Sequence, residues 1–152
     1  MGFMTPSTKR FILEQLKTHR NMSLATVRPD GYPQATTVAY ANEGLTLYFA
    51  CEPNSQKVRN LRRSPKVSLT INKDSAGWTK ITGLSMGATA KILERPADTE
   101  RAYALLSRKF KAMKGLGAKD LAATAFVRVQ PKVVSMLDYR RGFGWTRQVR
   151  VR

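Results

Sequence analysis

Apolar positions along this chain recur with two different periods, and the changes of period mark its elements. Ile12, Leu13 and Leu16 recur at helical spacing, behind Ser7 or Thr8 as a cap and ahead of the basic run Lys17–Arg20. This predicts a first helix from residue 7 or 8 to about 19, with His19 in a last turn where a protonated ring complements the helix dipole. From Asn21 the period drops to two: Met22, Leu24 and Thr26 alternate with Ser23, Ala25 and Val27. Pro29-Asp30-Gly31 then makes a hairpin turn, because Pro presets φ, Asp folds the corner and Gly takes the left-handed conformation. A return strand over 32–41, a turn at Asn42-Glu43-Gly44 and a strand over 45–51 with Leu47 and Phe49 on one face read as a three-stranded meander.

Glu52-Pro53-Asn54 breaks the sheet, and residues 55–63 read as a short helix with Val58 and Leu61 inward, stopped by Pro65. Strand 66–72 buries Val67, Leu69 and Ile71. A long strand over 79–93 contains Gly83 and Gly87, which suggest bulges or sharp coiling. Pro96 and Asp98 open a third helix with Tyr103, Leu106, Phe110 and Met113 on one stripe, and 124–138 forms a last strand that tolerates Pro131 only at an edge or bulge. The order α, β, β, β, α, β, β, α, β excludes a doubly wound fold. It predicts one mainly β domain over 1–152, a six-stranded antiparallel split β-barrel with an N-terminal helix and two further helices.

Charge adds one feature to this picture. Against 27 Lys and Arg stand 10 Asp and Glu, a net charge of +17. Such a field attracts anions, whether nucleic acid or phosphorylated small molecules. A single cysteine, Cys51, and a single histidine, His19, preclude an intrachain disulfide and a Cys/His zinc cluster, so no metal site is expected. The same scarcity rules out a Ser/His/Asp arrangement, and the carboxylates are too scattered to work as a pair, so any redox chemistry falls to a cofactor. No apolar run approaches the length of a membrane span and the N-terminus lacks a signal-peptide core, which points to a cytoplasmic protein without a membrane partner.

The candidate chemistry lies at Ser55-Gln56-Lys57, a hydroxyl, an amide and an ammonium at the start of a helix that follows a strand. Free N–H groups and the positive dipole end make this a phosphate cradle, unless Asn54 or Ser55 merely caps the helix and Lys57 is solvated. Strand, PDG turn, second and third strands, SQK opening a helix with NLRR, then a VSLTI strand: over residues 8–93 this order resembles the pyridoxamine 5′-phosphate oxidase-like family of FMN-binding split barrels.

The resemblance implies an FMN phosphate held by Ser55, Gln56 and Lys57. It places the flavin ring along Thr36, Thr37, Val38 and Ala39 on one strand, with Ala50 and Cys51 on the next. It further implies a homodimer in which the partner subunit completes the pocket through the region of Thr82 and through segment 138–152, with Phe143, Trp145 and Arg147 as candidates. Strand 32–41 lacks the arginine and lysine with which the family's oxidase grips phosphate, so that grip falls to Lys57 with Arg59 or Arg62. The implied activity is an FMN-dependent oxidoreductase acting on a small-molecule redox substrate, its catalytic residues unassigned. The family also contains deazaflavin users and haem binders, so non-catalytic binding of flavin, deazaflavin or haem is one alternative. A basic nucleic-acid-binding barrel is the other, with clusters at Lys57, Arg59, Arg62, Arg63 and Lys66 and at Arg140, Arg141, Arg147, Arg150 and Arg152. Cys51 reads as a small buried hydrophobe rather than a redox thiol.

Overall fold

A computed structural model describes residues 1–152. Eight strands form one antiparallel sheet: β1 (Asn21–Val27), β2 (Pro33–Ala39), β3 (Ala41–Glu43), β4 (Thr46–Cys51), β5 (Lys66–Asn72), β6 (Thr82–Ile92), β7 (Ala125–Asp138) and β8 (Thr146–Arg150). Their order is β2-β1-β5-β6-β7-β4-β3, with β8 added to β7. The two ends of that order, β2 and β3, are consecutive in the chain, separated only by Tyr40. One run of backbone therefore pairs with β1 in its first half and with β4 in its second, and Cα atoms of β2 and β4 approach within 8 Å. The sheet thus curls into a split barrel, six-stranded when β2 and β3 are counted as the single strand the sequence suggests, with β8 on its flank. The expected meander is corrected: β4 hydrogen-bonds to β3 and β7, not to the body of β2.

Local chemistry explains the joints. At the β1–β2 turn Gly31 has φ +86°, the Asp30 carboxylate accepts from the Tyr32 amide at 3.1 Å, and Arg28 N donates to Tyr32 O at 2.9 Å. Gly83 forms no bulge; it permits a close approach, since a Cβ there would lie 2.7 Å from the Ile71 carbonyl. The bulge lies instead on β7, where Gly87 pairs with Val133 and Ala88 with Pro131, leaving Lys132 without a partner. Pro131 is accommodated at that irregularity.

Four α-helices surround the sheet, one more than expected: α1 (Pro6–Thr18), α2 (Gln56–Arg63), α3 (Pro96–Lys109) and the short α4 (Ala118–Ala122). Thr5 caps α1, its Oγ1 accepting from Thr8 N at 3.2 Å with Pro6 in the first turn, so neither Ser7 nor Thr8 is the cap. Ile12 and Leu16 of α1 join Met22, Leu24, Leu47, Phe49, Ile71 and Val127 in the core inside the barrel. A second, outer core forms where Ala102, Leu105 and Leu106 of α3 cover Ala41, Tyr48 and Phe126. Met113 packs against this outer core from a separate 3-10 turn over Lys111–Met113, while α3 itself stops at Lys109.

The C-terminus of α1 is capped from a distance. Lys109 Nζ donates to His19 O at 2.6 Å and Leu16 O at 3.4 Å, Tyr40 Oη donates to Leu16 O at 2.7 Å, and the Lys109 ammonium lies 4.0 Å from the Tyr40 ring centroid. His19 takes the C-cap position with its ring buried and Nδ1 against Gln15 O, a last-turn carbonyl, at 2.7 Å, which fits the capping role the sequence suggests. The tail, expected to pack against a ligand or partner, supplies a further strand, β8, paired to β7 from Leu137↔Thr146 to Val133↔Arg150. No helix is long and apolar enough to cross a membrane.

Candidate functional site

The strongest site geometry is the N-terminus of α2. Ser55 occupies the cap position with extended backbone, yet its side chain makes no capping bond. The first amides of the helix therefore lack intrahelical acceptors and are not covered by that hydroxyl. Ser55 Oγ is itself buried with no hydrogen bond of good geometry, only the weakly bonding Cys51 thiol beside it, a cost of up to about 1–3 kcal/mol that a ligand oxygen would relieve. Lys57, half-buried, belongs to none of the ion pairs of the protein. The nearby Glu52 carboxylate is turned onto the Asn54 amide at 2.8 Å. Burial pushes the Cys51 thiol up, with the Ser55 hydroxyl and the Lys57 charge pulling the other way, so the thiol borders this site.

A polar chain that the sequence reading did not single out ties this helix to the barrel. Asn60, fully buried, accepts from Gln56 Nε2 at 2.9 Å and donates through Nδ2 to Thr26 Oγ1 at 3.0 Å and Gln34 Oε1 at 3.2 Å. Arg59 adds bonds to Gln56 Oε1 at 2.8 Å and to Asn54 O. Gln56 is thus committed to positioning. Free cationic reach comes from Lys57, since Arg62 sits in the last turn of α2, away from this end.

The strand expected to carry a ring alternates. Thr37 and Ala39 face outward and are exposed, whereas Thr36 and the buried Val38 point into the barrel. β2 hydrogen-bonds in register only with β1, so its second edge keeps backbone amides and carbonyls available. On the outer face, Ala35 and Thr37 register with Ala25 and Ser23, these with Ser68 and Thr70, and these with Gly87 and Ser85. The result is a smooth surface of short side chains across four strands. Ala50 and Cys51 end β4 opposite Phe126 and Ala125, both half-buried, and Cys51 leads directly toward Ser55.

The remaining candidates lie elsewhere in the same chain. Thr82 pairs with Asp138 on β7; half-buried Trp145 supports the Arg141 guanidinium 4.6 Å from its ring centroid; exposed Arg147 pairs with Met136. Thr82 and Asp138 lie at the end of the β6–β7 pair remote from α2, which meets β6 near Ala90, about 26 Å along the strand from Thr82. One chain does not bring this group to α2. Phe143, 79% exposed, stands edge-on to Trp78 at 5.1 Å and Tyr139 at 5.9 Å between ring centroids, an uncovered aromatic cluster.

The fold has relatives among solved structures. A conserved hypothetical protein from Mycobacterium tuberculosis is 25% identical with a TM-score of 0.76, over 91% of this chain and 87% of that one. A heme binding protein from Mycobacterium smegmatis is 19% identical with a TM-score of 0.80, over 97% of this chain but 59% of the other. The heme storage protein HutZ from Vibrio cholerae is 19% identical with a TM-score of 0.65, over 86% and 92%. At these last two identities the similarity establishes the fold alone. No curated protein matches the sequence significantly. The family model described as pyridoxamine 5′-phosphate oxidase matches residues 8–138, nearly the whole barrel from α1 to the end of β7, and the chain belongs to that family.

Proposed function

We propose that the protein is an FMN-dependent oxidoreductase that binds the flavin between two copies of itself. The observation that carries this reading is the uncovered N-terminus of α2, with the buried Ser55 hydroxyl, which makes no hydrogen bond of good geometry, and the unpaired Lys57 beside it. Phosphate oxygens fit that donor set: amides and a hydroxyl donate, and one ammonium supplies charge, while the nearby Glu52 carboxylate is held on the Asn54 amide. The free edge of β2 offers both donors and acceptors to the polar rim of a flat ring, and the outward Thr37 and Ala39 are small enough to admit it. Bound flavin supplies electron and hydride transfer that the side chains of this protein cannot.

A homodimer fits the same reading, because Arg147 and the uncovered aromatic cluster lie at the end of the strands remote from α2 of their own chain. In such a dimer the short-side-chain outer face would let two sheets approach closely, and the Trp145 and Arg147 region of one copy would complete the site at α2 of the other. Haem is a weaker fit: the sole histidine, His19, is buried with Nδ1 on a backbone carbonyl.

The test is a titration of the purified protein with FMN, a deazaflavin and haem, read by absorbance, with Lys57→Ala alongside. Bands near about 370 and 450 nm that saturate with FMN, and a clear loss of affinity in Lys57→Ala, support the assignment. Saturable haem or deazaflavin binding that ignores Lys57, with no response to FMN, overturns it.

A further inference from the structure

We infer that the protein carries a second anion surface, separate from the α2 N-terminus, that binds the phosphate backbone of nucleic acid: the outer-face cluster of Lys66, Lys91 and Arg128, flanked by Arg62 and Arg63. Strand register brings these residues together from four separate segments of the chain. Lys91 on β6 lies directly opposite Arg128 on β7, and Lys66 on β5 lies opposite Thr89, two residues before Lys91. Alternation puts all of them on one face, since Val67, Ala88, Ala90, Val127 and Val129 point into the barrel. Ala90 N donates to Pro65 O at 2.8 Å, which holds the end of α2, with exposed Arg62 and Arg63, against the same end of β6.

Directly opposed like charges weaken a strand pair. A fold shaped only by stability would place a carboxylate or a neutral residue opposite Lys91. None of the four ion pairs of the protein includes any of these five cations, although Glu94 is only three residues from Lys91. Opposed and diagonal neighbours across a sheet are about 5 and 7–8 Å apart, so the cations form a line with the close, regular spacing that a run of phosphates presents. Thr46 and Gln130, bonded to each other on the adjoining register position, add neutral donors for phosphate oxygens.

The chemistry favours nucleic acid over the other polyanions that such a line attracts. Of the exposed large hydrophobic residues only Val27, at the register position opposite Lys66, borders the cluster; Met1, Phe3, Tyr32, Trp78 and Phe143 lie elsewhere, so the cluster has no large apolar group to insert into a lipid surface. The same lack of aromatics leaves no platform for base stacking, so recognition is of the backbone and independent of sequence.

The experiment measures binding of the full chain to a fluorescein-labelled, mixed-sequence DNA duplex by anisotropy between about 50 and 200 mM salt. It compares wild type with Lys66→Gln/Lys91→Gln/Arg128→Gln and with a control triple variant, Lys111→Gln/Lys114→Gln/Lys119→Gln, that removes the same charge elsewhere. Removing three phosphate contacts lowers the magnitude of the log–log salt slope by about 3 and weakens binding at least about tenfold, while the control changes little. The melting temperature of the cluster variant rises by about 1–4 °C, because the opposed charges are gone, so lost binding cannot be a folding defect. Equal effects of the two triple variants, or absence of duplex binding by wild type at the lower salt, overturn the inference. Salt-dependent capture by anionic vesicles without binding to the duplex overturns it in favour of a membrane surface. None of these readouts depends on FMN, so the failure of this surface and of the flavin site are separable.

Discussion

Replacing Asn60 tests whether α2 is held on the barrel by its polar chain or simply by Val58 and Leu61. In Asn60→Leu the shape is roughly kept, but Thr26 Oγ1, in a residue 2% exposed, loses the donor at 3.0 Å and gains no water. Leaving that hydroxyl unsatisfied costs about 1–3 kcal/mol, and losing the bonds to half-exposed Gln56 and Gln34, which water replaces, adds about 1 kcal/mol. The expected destabilisation is about 2–4 kcal/mol, a fall of roughly 5–15 °C in melting temperature for a chain of this size. Urea unfolding of the apoprotein followed by circular dichroism gives the free energy. Thr26→Val alone removes the other partner, and the double variant Thr26→Val/Asn60→Leu replaces both by apolar groups of the same shape. That double variant recovers at least half of the loss, because no buried polar group is then left alone. A cost under about 0.5 kcal/mol for Asn60→Leu, or a double variant no better than the single, would refute the reasoning.

Two further expectations follow from the other joints of the fold. Burial and the charge of Arg20 bring the Lys109 amine down to about 8 from 10.5, so between these values the unfolded chain holds a proton that the folded one has released. Stability therefore rises from pH 8 toward pH 10 in wild type and not in Lys109→Met, measured by urea midpoints; above pH 10 the raised Tyr40 hydroxyl reverses the trend. Gly83→Ala places a Cβ 2.7 Å from the Ile71 carbonyl and forces β5 and β6 apart, costing about 1–3 kcal/mol in thermal unfolding, whereas Gly87→Ala meets nothing within 4 Å and stays within about 0.5 kcal/mol of wild type.

Local patterns in the sequence were sufficient for elements whose cause is local. The alternation of KVSLTIN placed β5 at its observed ends, and Pro-Asp-Gly specified a turn whose geometry each residue supplies. The change of partner at Tyr40 was not legible, because the run from 32 to 41 keeps its alternation while the barrel closes around it, and closure is set by strands far away in the chain. Ser55, Gln56 and Lys57 were legible as a helix start, and the α2 N-terminus bears that out. Their division of labour was not: Gln56 turns inward only because Asn60 lies one turn on. A signal for Asn60 did exist, a polar residue on the buried stripe between Val58 and Leu61, where a helix ordinarily carries an apolar side chain. Trp145 and Arg147 could not be placed from sequence, since β8 takes its position from hydrogen bonds to the second half of β7.

The long strand β7 also sets the order in which the chain can be completed during synthesis. β4 and β6 each have one sheet neighbour from earlier in the chain, and β7 fills the gap between them. Until residues 125–138 leave the ribosome, two hydrophobic strand edges from the first two-thirds of the chain stay open to wrong partners. Closure is then a single late event between segments about 75 residues apart at β4, a long loop whose entropy is recovered only when β7 docks. A nascent chain stalled before Ala125 is for that reason the most aggregation-prone form of this protein, and the one most in need of a chaperone.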